Sequence, residues 1–427
     1  MKKQKTFNDI FVKNSMDIPF LLILLVILTI GLVMLLSASY FNAFYNTASG
    51  DSLYYFKRQL IFSVFGVISM LVLSRVNYKY FRLLGLLGMG VSLLLLVAVL
   101  LIPNEEDDGI KRWIYLGSFQ FQPSEIAKFM LIVFLANGLD RDNKKLTSSA
   151  LSQASVAQKI YKYSNKRILI TQGTATLFKY AVAVLVVAGL VALESHLSGT
   201  ILMLGIGVVM LWLGEGRARW FAIAGIGGAL VITLFVVYIE AKNFQDIPFL
   251  KPYMVERIQS WLDKDFSPLD KRWQTNQSLY AIGSGGLLGS GLGNSKEKYL
   301  YVSEPQNDFI FAIVCEELGF VGAVGILLLY ALLIVRGLYI GMRSRDRFGA
   351  LLVFGMISQL ALQVFLNVGV VSDLLPNTGI GLPFFSYGGT SMCLCLWEMG
   401  VVLAVSRQAN LPKVYSFSNK TKKAKAV

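Results

Sequence analysis

The position most suited to chemistry is Asp308, where a long polar segment ends and an apolar run begins at Phe309. A carboxylate at such a boundary between water and membrane can act as a general base, because it can accept a proton from a substrate hydroxyl. The same carboxylate could instead cap the following helix, since it would accept a backbone N–H and complement the helix dipole. The local sequence leaves both roles open.

A second candidate group lies in the first turns of a helix that Pro123 would start. Glu125 and Lys128 are three positions apart and therefore share one face of that helix. Ionisable groups just inside a membrane are costly unless they are paired or functional. The pair could hold the helix against its neighbours. Alternatively, Lys128 could form a cationic binding surface for an anionic head group together with Arg112 and Lys111.

The glycine cluster at residues 283–293 could suggest a nucleotide-binding loop. It matches neither common template, because no Gly-Lys-Ser/Thr sequence follows and Leu288 stands where a third glycine is required. The cluster therefore predicts a compact turn that lets the backbone pass close to a helix or a bulky substrate.

Buried acids and potential metal ligands give weaker signals. Glu316 and Glu317 lie in the apolar run beyond Asp308, where a carboxylate needs a partner or a proton, so we expect at least one to face an interior cavity. His196 is the only histidine, and the three cysteines lie within apolar runs. We therefore expect a structural His196, buried thiols, no disulfide and no metal site.

The elements that must position these residues are membrane helices. Hydrophobic residues make up 55% of the 427 positions and charged residues only 15%, which indicates an integral membrane protein. The apolar runs predict an all-α fold with ten transmembrane helices. They lie at about residues 18–39, 59–73, 83–102, 125–139, 177–193, 197–213, 220–239, 309–335, 348–371 and 384–405.

The distribution of charge predicts the orientation of these helices. With the N-terminus inside, about two-thirds of the 40 Lys and Arg residues fall in cytoplasmic segments, but only about a quarter of the 26 acidic residues do. This asymmetry follows the positive-inside rule and places both termini in the cytoplasm. The net charge of +14 then reflects topology, and a nucleic-acid partner is unnecessary.

We expect a single transmembrane domain whose membrane core covers residues 18–405. Residues 240–308 form a large extracytoplasmic loop between helices 7 and 8, residues 140–176 a mobile cytoplasmic loop, and residues 407–427 a basic cytoplasmic tail. The last outer loop, 373–390, has two prolines and four glycines. It is expected to fold back into the outer leaflet and line a cavity, or to be an ordinary connecting turn.

The motifs, taken in order, resemble the SEDS family of shape, elongation, division and sporulation proteins, which includes FtsW, RodA and SpoVE. The similarity runs from the first predicted helix to the last, and the Gly-Leu-Gly-Asn-Ser run at residues 291–295 looks more like FtsW and SpoVE than RodA. The other matching segments are residues 111–117, 121–128, 277–289, 308–312, 316–319, 375–376 and 382–391.

The resemblance implies a peptidoglycan glycosyltransferase in the bacterial cytoplasmic membrane. Its substrate would be lipid II, a disaccharide-peptide linked to undecaprenyl pyrophosphate, and its partner a class B penicillin-binding protein that crosslinks the strands. The family's essential outer-loop aspartate falls on Asp308, and its sensitive tryptophan and lysine fall on Trp113 and Lys128. The other expected substrate-binding residues are Arg112, Glu125, Lys111, Lys298 and Ser386.

Two segments depart from the family pattern. The usual Leu-Pro-Glu-x-His-Thr-Asp sequence is replaced by residues 302–308, which keep Glu304 and Asp308 but change the residues around them. The usual Pro-Asp-Leu-Gly turn becomes residues 195–199, so no family role is carried onto His196.

The implied reaction suits these residues. A base must take a proton from the attacking sugar hydroxyl, while the lipid pyrophosphate leaves as an anion and needs cations, which Arg257 could also supply. A divalent cation, Mg²⁺ or Mn²⁺, could share that role. Two alternatives remain: a lipid II flippase, suggested by the intramembrane Glu316, Glu317 and Glu398, and a non-catalytic scaffold for the crosslinking enzyme.

Overall fold

The computed structural model describes residues 11–12, 14–47, 50–102, 112–116, 119–150, 152, 158, 171–215, 252–263, 272–299, 301–302 and 304–409. Most of them are helical, and one short hairpin pairs β1, Ile114–Leu116, with the antiparallel strand β2, Phe119–Phe121. The helices are α1 Ile18–Asn46, α2 Tyr54–Leu73, α3 Phe81–Leu101, α4 Pro123–Arg141, α5 Asn143–Leu146, α6 Gln172–Leu193, α7 Leu197–Glu215, α8 Pro252–Leu262, α9 Trp273–Ser284, α10 Ile310–Met342, α11 Arg347–Val371 and α12 Gly389–Gln408.

Eight helices in the described ranges are long and apolar enough to cross a membrane. They are α1, α2, α3, α6, α7, α10, α11 and α12, and each overlaps one of the predicted spans. The chain is therefore a helical, multi-pass membrane protein. The predicted span 220–239 lies outside the described residues, so the count of ten is not tested.

The remaining predicted span corresponds to α4, a helix of 19 residues that carries four charged side chains. Two of these, Glu125 and Lys128, are only 8% and 4% exposed. The helix packs against α3, α7 and α11, so its polar groups face protein. This explains why α4 is less apolar than the other long helices of the bundle.

Local chemistry decides where several helices start. Asp17 caps α1, because its side chain accepts a hydrogen bond of 3.0 Å from the backbone N–H of Phe20. Helix α2 starts earlier than predicted, at Tyr54, because the charged residues Lys57 and Arg58, which precede the apolar run, are also helical. Helix α12 starts later than predicted, at Gly389, and Phe384, with a left-handed backbone of φ 67°, belongs to the preceding loop.

Helix α10 is interrupted at Gly319, whose backbone is not helical (φ 66°, ψ −171°). The glycine-rich turn packs there, and the N–H groups of residues 290 and 291 donate to the carbonyls of residues 316 and 317 at 2.9 and 3.0 Å. The backbones are so close that a Cβ at Gly289 would collide with α10. The prediction of a turn that passes close to a helix is confirmed.

The side chains of Glu316 and Glu317 are paired within the protein. Glu316 accepts a hydrogen bond of 2.5 Å from Ser295, and Glu317 forms a buried ion pair of 2.8 Å with Lys298. Glu317 also accepts from the hydroxyl of Ser37 in α1. The expectation that one of these acids faces an interior cavity is therefore replaced by a structural role: the acids anchor the glycine turn and α1 to α10.

The two ends of the membrane core lie on one side of the bundle. Asn14 donates a hydrogen bond of 3.0 Å to the carbonyl of Arg407, so the chain enters and leaves the helix bundle at the same face.

The three cysteines are buried, as expected. The middle of the loop 140–176, at residues 151, 153–157 and 159–170, and the tail beyond residue 409 lie outside the described residues, so their predicted character is not tested.

Candidate active site

A cavity of about 670 Å³ lies between the loops that the sequence predicts to be outside and the adjoining ends of α2, α4, α7, α11 and α12. It brings together all the predicted site residues except Lys111, Lys298 and Arg257. The polar and aromatic side chains in its wall include Arg58, Arg112, Trp113, Gln122, Glu125, Lys128, His196, Glu304, Asp308, Gln363, Ser386 and Tyr387.

Asp308 is held in the cavity wall through its backbone. Its carbonyl accepts a hydrogen bond of 2.8 Å from Asn367, a fully buried residue of α11 that also donates to the Ile380 carbonyl at 2.7 Å. Helix α10 has no side-chain cap hydrogen bond, so the Asp308 carboxylate does not cap it. The carboxylate instead lies beside Gly379, next to the guanidinium of Arg257.

Burial raises the pKa of Asp308 from 3.8 to about 6. The Arg257 guanidinium opposes this shift, the Glu304 carboxylate adds to it, and Arg112 opposes it more weakly. A carboxylate with this pKa is mostly ionised near pH 7, yet it binds a proton more strongly than an ordinary aspartate. These properties suit a general base.

Ser386 ties the last outer loop to the segment before Asp308. Its hydroxyl donates to the Asn307 carbonyl at 2.6 Å and accepts from the Leu382 N–H at 2.7 Å. Gln59 of α2 donates to the Ser386 carbonyl at 3.1 Å. The loop lines the cavity, as expected, and the contacts of the Ser386 hydroxyl position Asp308 through its neighbour.

The β1–β2 hairpin places Arg112 and Trp113 in the cavity wall. Arg112 donates to the Ser195 carbonyl in the α6–α7 turn, and its buried Nε has no partner among the described residues. The carboxyl of Glu194 is fully buried and likewise lacks a hydrogen-bond partner in the described part of the chain. Burial raises the pKa of Glu194 to about 8 against the opposing effect of Arg112, so a neutral Glu194 leaves the charge of Arg112 available to an anion.

Glu125 and Lys128 form a buried ion pair of 2.7 Å, and Ser391 donates to Glu125 at 3.2 Å. Both members of the pair also line the cavity. The two interpretations left open by the sequence are therefore compatible, because an anion that enters the cavity can compete with Glu125 for the Lys128 ammonium.

Two predicted substrate-binding residues are not placed in this cavity. Lys298 is 2% exposed, and its ammonium donates to Glu317 at 2.8 Å and to the Gly293 carbonyl at 2.6 Å. Its position near Asp308 in sequence did not reveal that the side chain points to the broken segment of α10. Lys111 lies outside the described residues.

The oxygen atoms near Asp308 fit a hard divalent cation. Glu304, Asn307 and Asp308 line the same cavity and offer two carboxylates and an amide oxygen. Mg²⁺ is commonly held by one or two carboxylates, with phosphate oxygens of the substrate and water completing its shell. Within the described ranges, no group of three His, Cys, Asp or Glu residues could hold a metal without such help.

Comparison with known proteins shows the family of this chain. The family model described as Cell cycle protein, whose name combines FtsW, RodA and SpoVE, matches residues 18–411. This chain belongs to the FtsW/RodA/SpoVE family. It is thus a SEDS protein, as its motifs indicated.

Curated relatives of this SEDS protein match it along nearly their full length. Stage V sporulation protein E of Bacillus subtilis is 38% identical over 398 residues, which cover 92% of this chain and 98% of that protein. The probable peptidoglycan glycosyltransferase FtsW of Trichlorobacter lovleyi is 32% identical over 392 residues, which cover 91% and 93% respectively.

Solved structures show the same SEDS fold. A chain from a peptidoglycan synthase complex that coordinates polymerization and crosslinking superposes with a TM-score of 0.68 at 27% identity, over 92% of this chain and 98% of that one. The rod-shape-determining protein RodA of Thermus thermophilus gives a TM-score of 0.59 at 25% identity, over 93% and 99%.

Sequence reasoning missed several cavity residues of this SEDS protein, among them Arg58 and His196. Arg58 lies in the second turn of α2, where a basic residue at the end of an apolar run is usually an interfacial anchor. His196 has no cysteine or carboxylate at metal-ligand spacing and was expected to be structural. The usable signal was position alone, since both residues lie at outer helix ends beside the predicted site.

Proposed function

We propose that this protein is a peptidoglycan glycosyltransferase of the bacterial cytoplasmic membrane and polymerises lipid II at the outer face. The observation that carries the proposal is the outer cavity, where Asp308 lies with Arg112, Trp113 and Lys128, in a family whose FtsW members are named probable peptidoglycan glycosyltransferases. The chain acts as one transmembrane domain of ten helices with a core at residues 18–405.

Asp308 is the general base of the proposed reaction. Its carboxylate takes the proton of the acceptor sugar hydroxyl while the oxygen attacks the anomeric carbon of the donor. The bond between that carbon and the pyrophosphate breaks, and the lipid pyrophosphate leaves with the electron pair. Asp308 then releases its proton to water in the outer cavity, which restores the base.

The basic residues stabilise the leaving pyrophosphate. Arg112 lacks a carboxylate partner in the described part of the chain, and Lys128 can exchange Glu125 for a phosphate oxygen. Charge-assisted contacts of this kind favour the transition state, because negative charge develops on the leaving group. Glu304 and Asn307, beside Asp308, would hold a divalent cation that neutralises the same charge when it is bound.

We also propose that a class B penicillin-binding protein is the working partner. The support is the similarity to a chain of a complex in which polymerization and crosslinking are coordinated. A strand polymerase and a crosslinking enzyme act on the same nascent glycan, so their association keeps product and substrate together.

The flippase alternative has less support from the structure. It was suggested by three intramembrane acids, and all three have partners within the protein. Glu316 and Glu317 bind Ser295 and Lys298, and Glu398 accepts a hydrogen bond of 2.7 Å from Gln359. None of the three lines the outer cavity.

Reconstitution tests the proposed function. The purified protein in liposomes with labelled lipid II, with and without a class B penicillin-binding protein, should produce glycan strands that resolve on a gel. Translocation of the labelled lipid across the bilayer without strands would instead support the flippase. A requirement for the protein without either activity would support the scaffold.

The rate of strand synthesis should fall as the pH is lowered through about 6. Asp308 accepts a proton only when ionised, and its pKa is raised to about 6, so the active form is lost below that value. Initial rates at saturating lipid II between about pH 5 and about pH 8 would show this decline. Glu304→Gln should move the midpoint to lower pH, because the Glu304 charge raises the pKa of Asp308. A rate that stays level down to about pH 5 would contradict the assignment.

A further inference from the structure

The α6–α7 turn presents one polar side chain to the cavity that the proposed mechanism does not use. His196 lines the cavity although it is only 8% exposed. Its ring packs against Gly199, where a Cβ would lie 2.6 Å from Nδ1 and 3.0 Å from Cε1. Glycine at this position therefore leaves room for the Nδ1–Cε1 edge of the imidazole beside α7.

The two ring nitrogens of His196 have different environments. Nδ1 lies 3.2 Å from the amide nitrogen of Gln122 and 3.5 Å from the hydroxyl of Ser124. Because the Gln122 amide nitrogen is a donor, Nδ1 accepts, and the proton of the neutral ring is on Nε2. Nε2 has no hydrogen-bond partner among the described residues, so its N–H is available to a ligand in the cavity.

Charges around the ring favour an anion there. The charged groups that act most on His196 are all cationic: Arg112, Lys128 and Arg257. Burial and these three cations lower the pKa of His196 to about 3, so the imidazole is neutral at physiological pH. Around Asp308, in contrast, Glu304 offsets part of the positive charge. The anionic part of a substrate is therefore best placed at His196, and the reacting sugar at Asp308.

We propose that His196 is a substrate-binding residue whose Nε2–H donates to a pyrophosphate oxygen of the lipid-linked donor. The inference rests on the proposed function and adds a specific binding site for the leaving group. Arg112 connects the two parts of the site, since it donates to the Ser195 carbonyl beside His196 and also acts on the Asp308 carboxylate. The pyrophosphate would thus lie where the neutral N–H and the cations converge.

Equilibrium binding of undecaprenyl pyrophosphate to the detergent-solubilised full-length protein tests this pyrophosphate-binding site. His196→Asn keeps an amide near the position of Nδ1 but cannot reach the position of Nε2. It should weaken binding about tenfold, because one hydrogen bond to a charged group is lost. His196→Gln places an amide N–H near Nε2 and should stay within about threefold of wild type. Undecaprenol, which has no phosphate, should bind all three proteins equally.

Two outcomes would overturn the assignment. One is wild-type affinity for undecaprenyl pyrophosphate in His196→Asn, and the other is an equal loss of affinity for undecaprenol, which would mean that the ring only packs the cavity wall. Thermal unfolding of each variant in the same detergent separates misfolding from lost contacts, and His196→Gln remains informative if His196→Asn unfolds.

The binding assay also separates this inference from the proposed function. Binding requires no turnover, so a wild-type protein that binds undecaprenyl pyrophosphate but makes no strands would contradict only the glycosyltransferase. Normal strand synthesis with unchanged binding in His196→Asn would contradict only the role of His196.

Discussion

Asp308→Asn should lower the rate of glycan-strand synthesis by about 10²- to 10⁴-fold, the usual contribution of a positioned general base. The substitution keeps the shape of the side chain but removes its ability to accept the hydroxyl proton. The contact that holds the residue in place is made by its backbone carbonyl to Asn367, so the variant should keep the same position. Burial already disfavours the charged carboxylate, so the folded protein should be no less stable.

The measurement is strand formation from labelled lipid II by wild type and variant side by side, with the same penicillin-binding protein. Asp51→Asn is the matched control, because it removes a carboxylate from an outer loop that does not line the cavity. There Asp51 forms an ion pair of 2.7 Å with Lys57. This control should leave the rate unchanged. Full activity of Asp308→Asn would exclude Asp308 as the base, even if the glycosyltransferase assignment itself survives.

Lys298→Met should destabilise the protein by about 3–5 kcal/mol, the typical effect of removing one partner of a buried ion pair. The side chains of Lys298 and Glu317 are 3% and 0% exposed, so the carboxylate left behind can be solvated only if the structure opens. The Lys298 ammonium also donates to the Gly293 carbonyl at 2.6 Å and to Ser37 at 3.2 Å. Thermal unfolding in detergent would report the loss as a lower midpoint.

A second variant identifies the cause of this loss. Lys298→Met combined with Glu317→Gln removes the unpaired charge and should recover much of the stability, because a neutral amide costs far less to bury than a carboxylate. Lys57→Met is the control, since it breaks another pair of a lysine and a carboxylate, Lys57 with Asp51, at the exposed surface, where ion pairs contribute little. The midpoint of this control should change little.

The same variants decide between two roles for Lys298. A structural role predicts that activity is lost together with stability and returns in the double variant. If Lys298→Met were as stable as wild type but failed to bind lipid II, the structural role would be wrong, and Lys298 would belong to the substrate site as the sequence first suggested.

The membrane helices were predictable because hydrophobicity is a local property. Each long apolar run became a helix wherever the structure describes the chain, and Asp17 shows that an N-cap can be read from a few residues. Helix ends were less predictable. Phe384, for example, is apolar but lies in the loop before α12 with a φ of 67°, a backbone conformation that its apolar side chain does not indicate.

The candidate site was predictable where a motif carried it. Asp308, Arg112, Trp113, Glu125 and Lys128 lie in segments that resemble one family, and all five line one cavity. Lys298 lies outside that cavity and pairs with Glu317, because position in the sequence does not define the direction of a side chain. Glu316 and Glu317 were expected at a cavity because the sequence did not show their partners. These partners, Ser295 and Lys298, reach the two acids only because the glycine turn packs against α10.

The sequence by itself determined the multi-pass helical class, the family and the choice of Asp308 as the candidate base, since these depend on composition and on residues close together in the chain. Only the tertiary structure decided that Asp308 leaves its helix uncapped and that Lys298 pairs with Glu317. It also placed His196 with Arg112 at the cavity. The physical reason is that burial, ion pairing and the orientation of a ring nitrogen depend on contacts between segments that are distant in sequence.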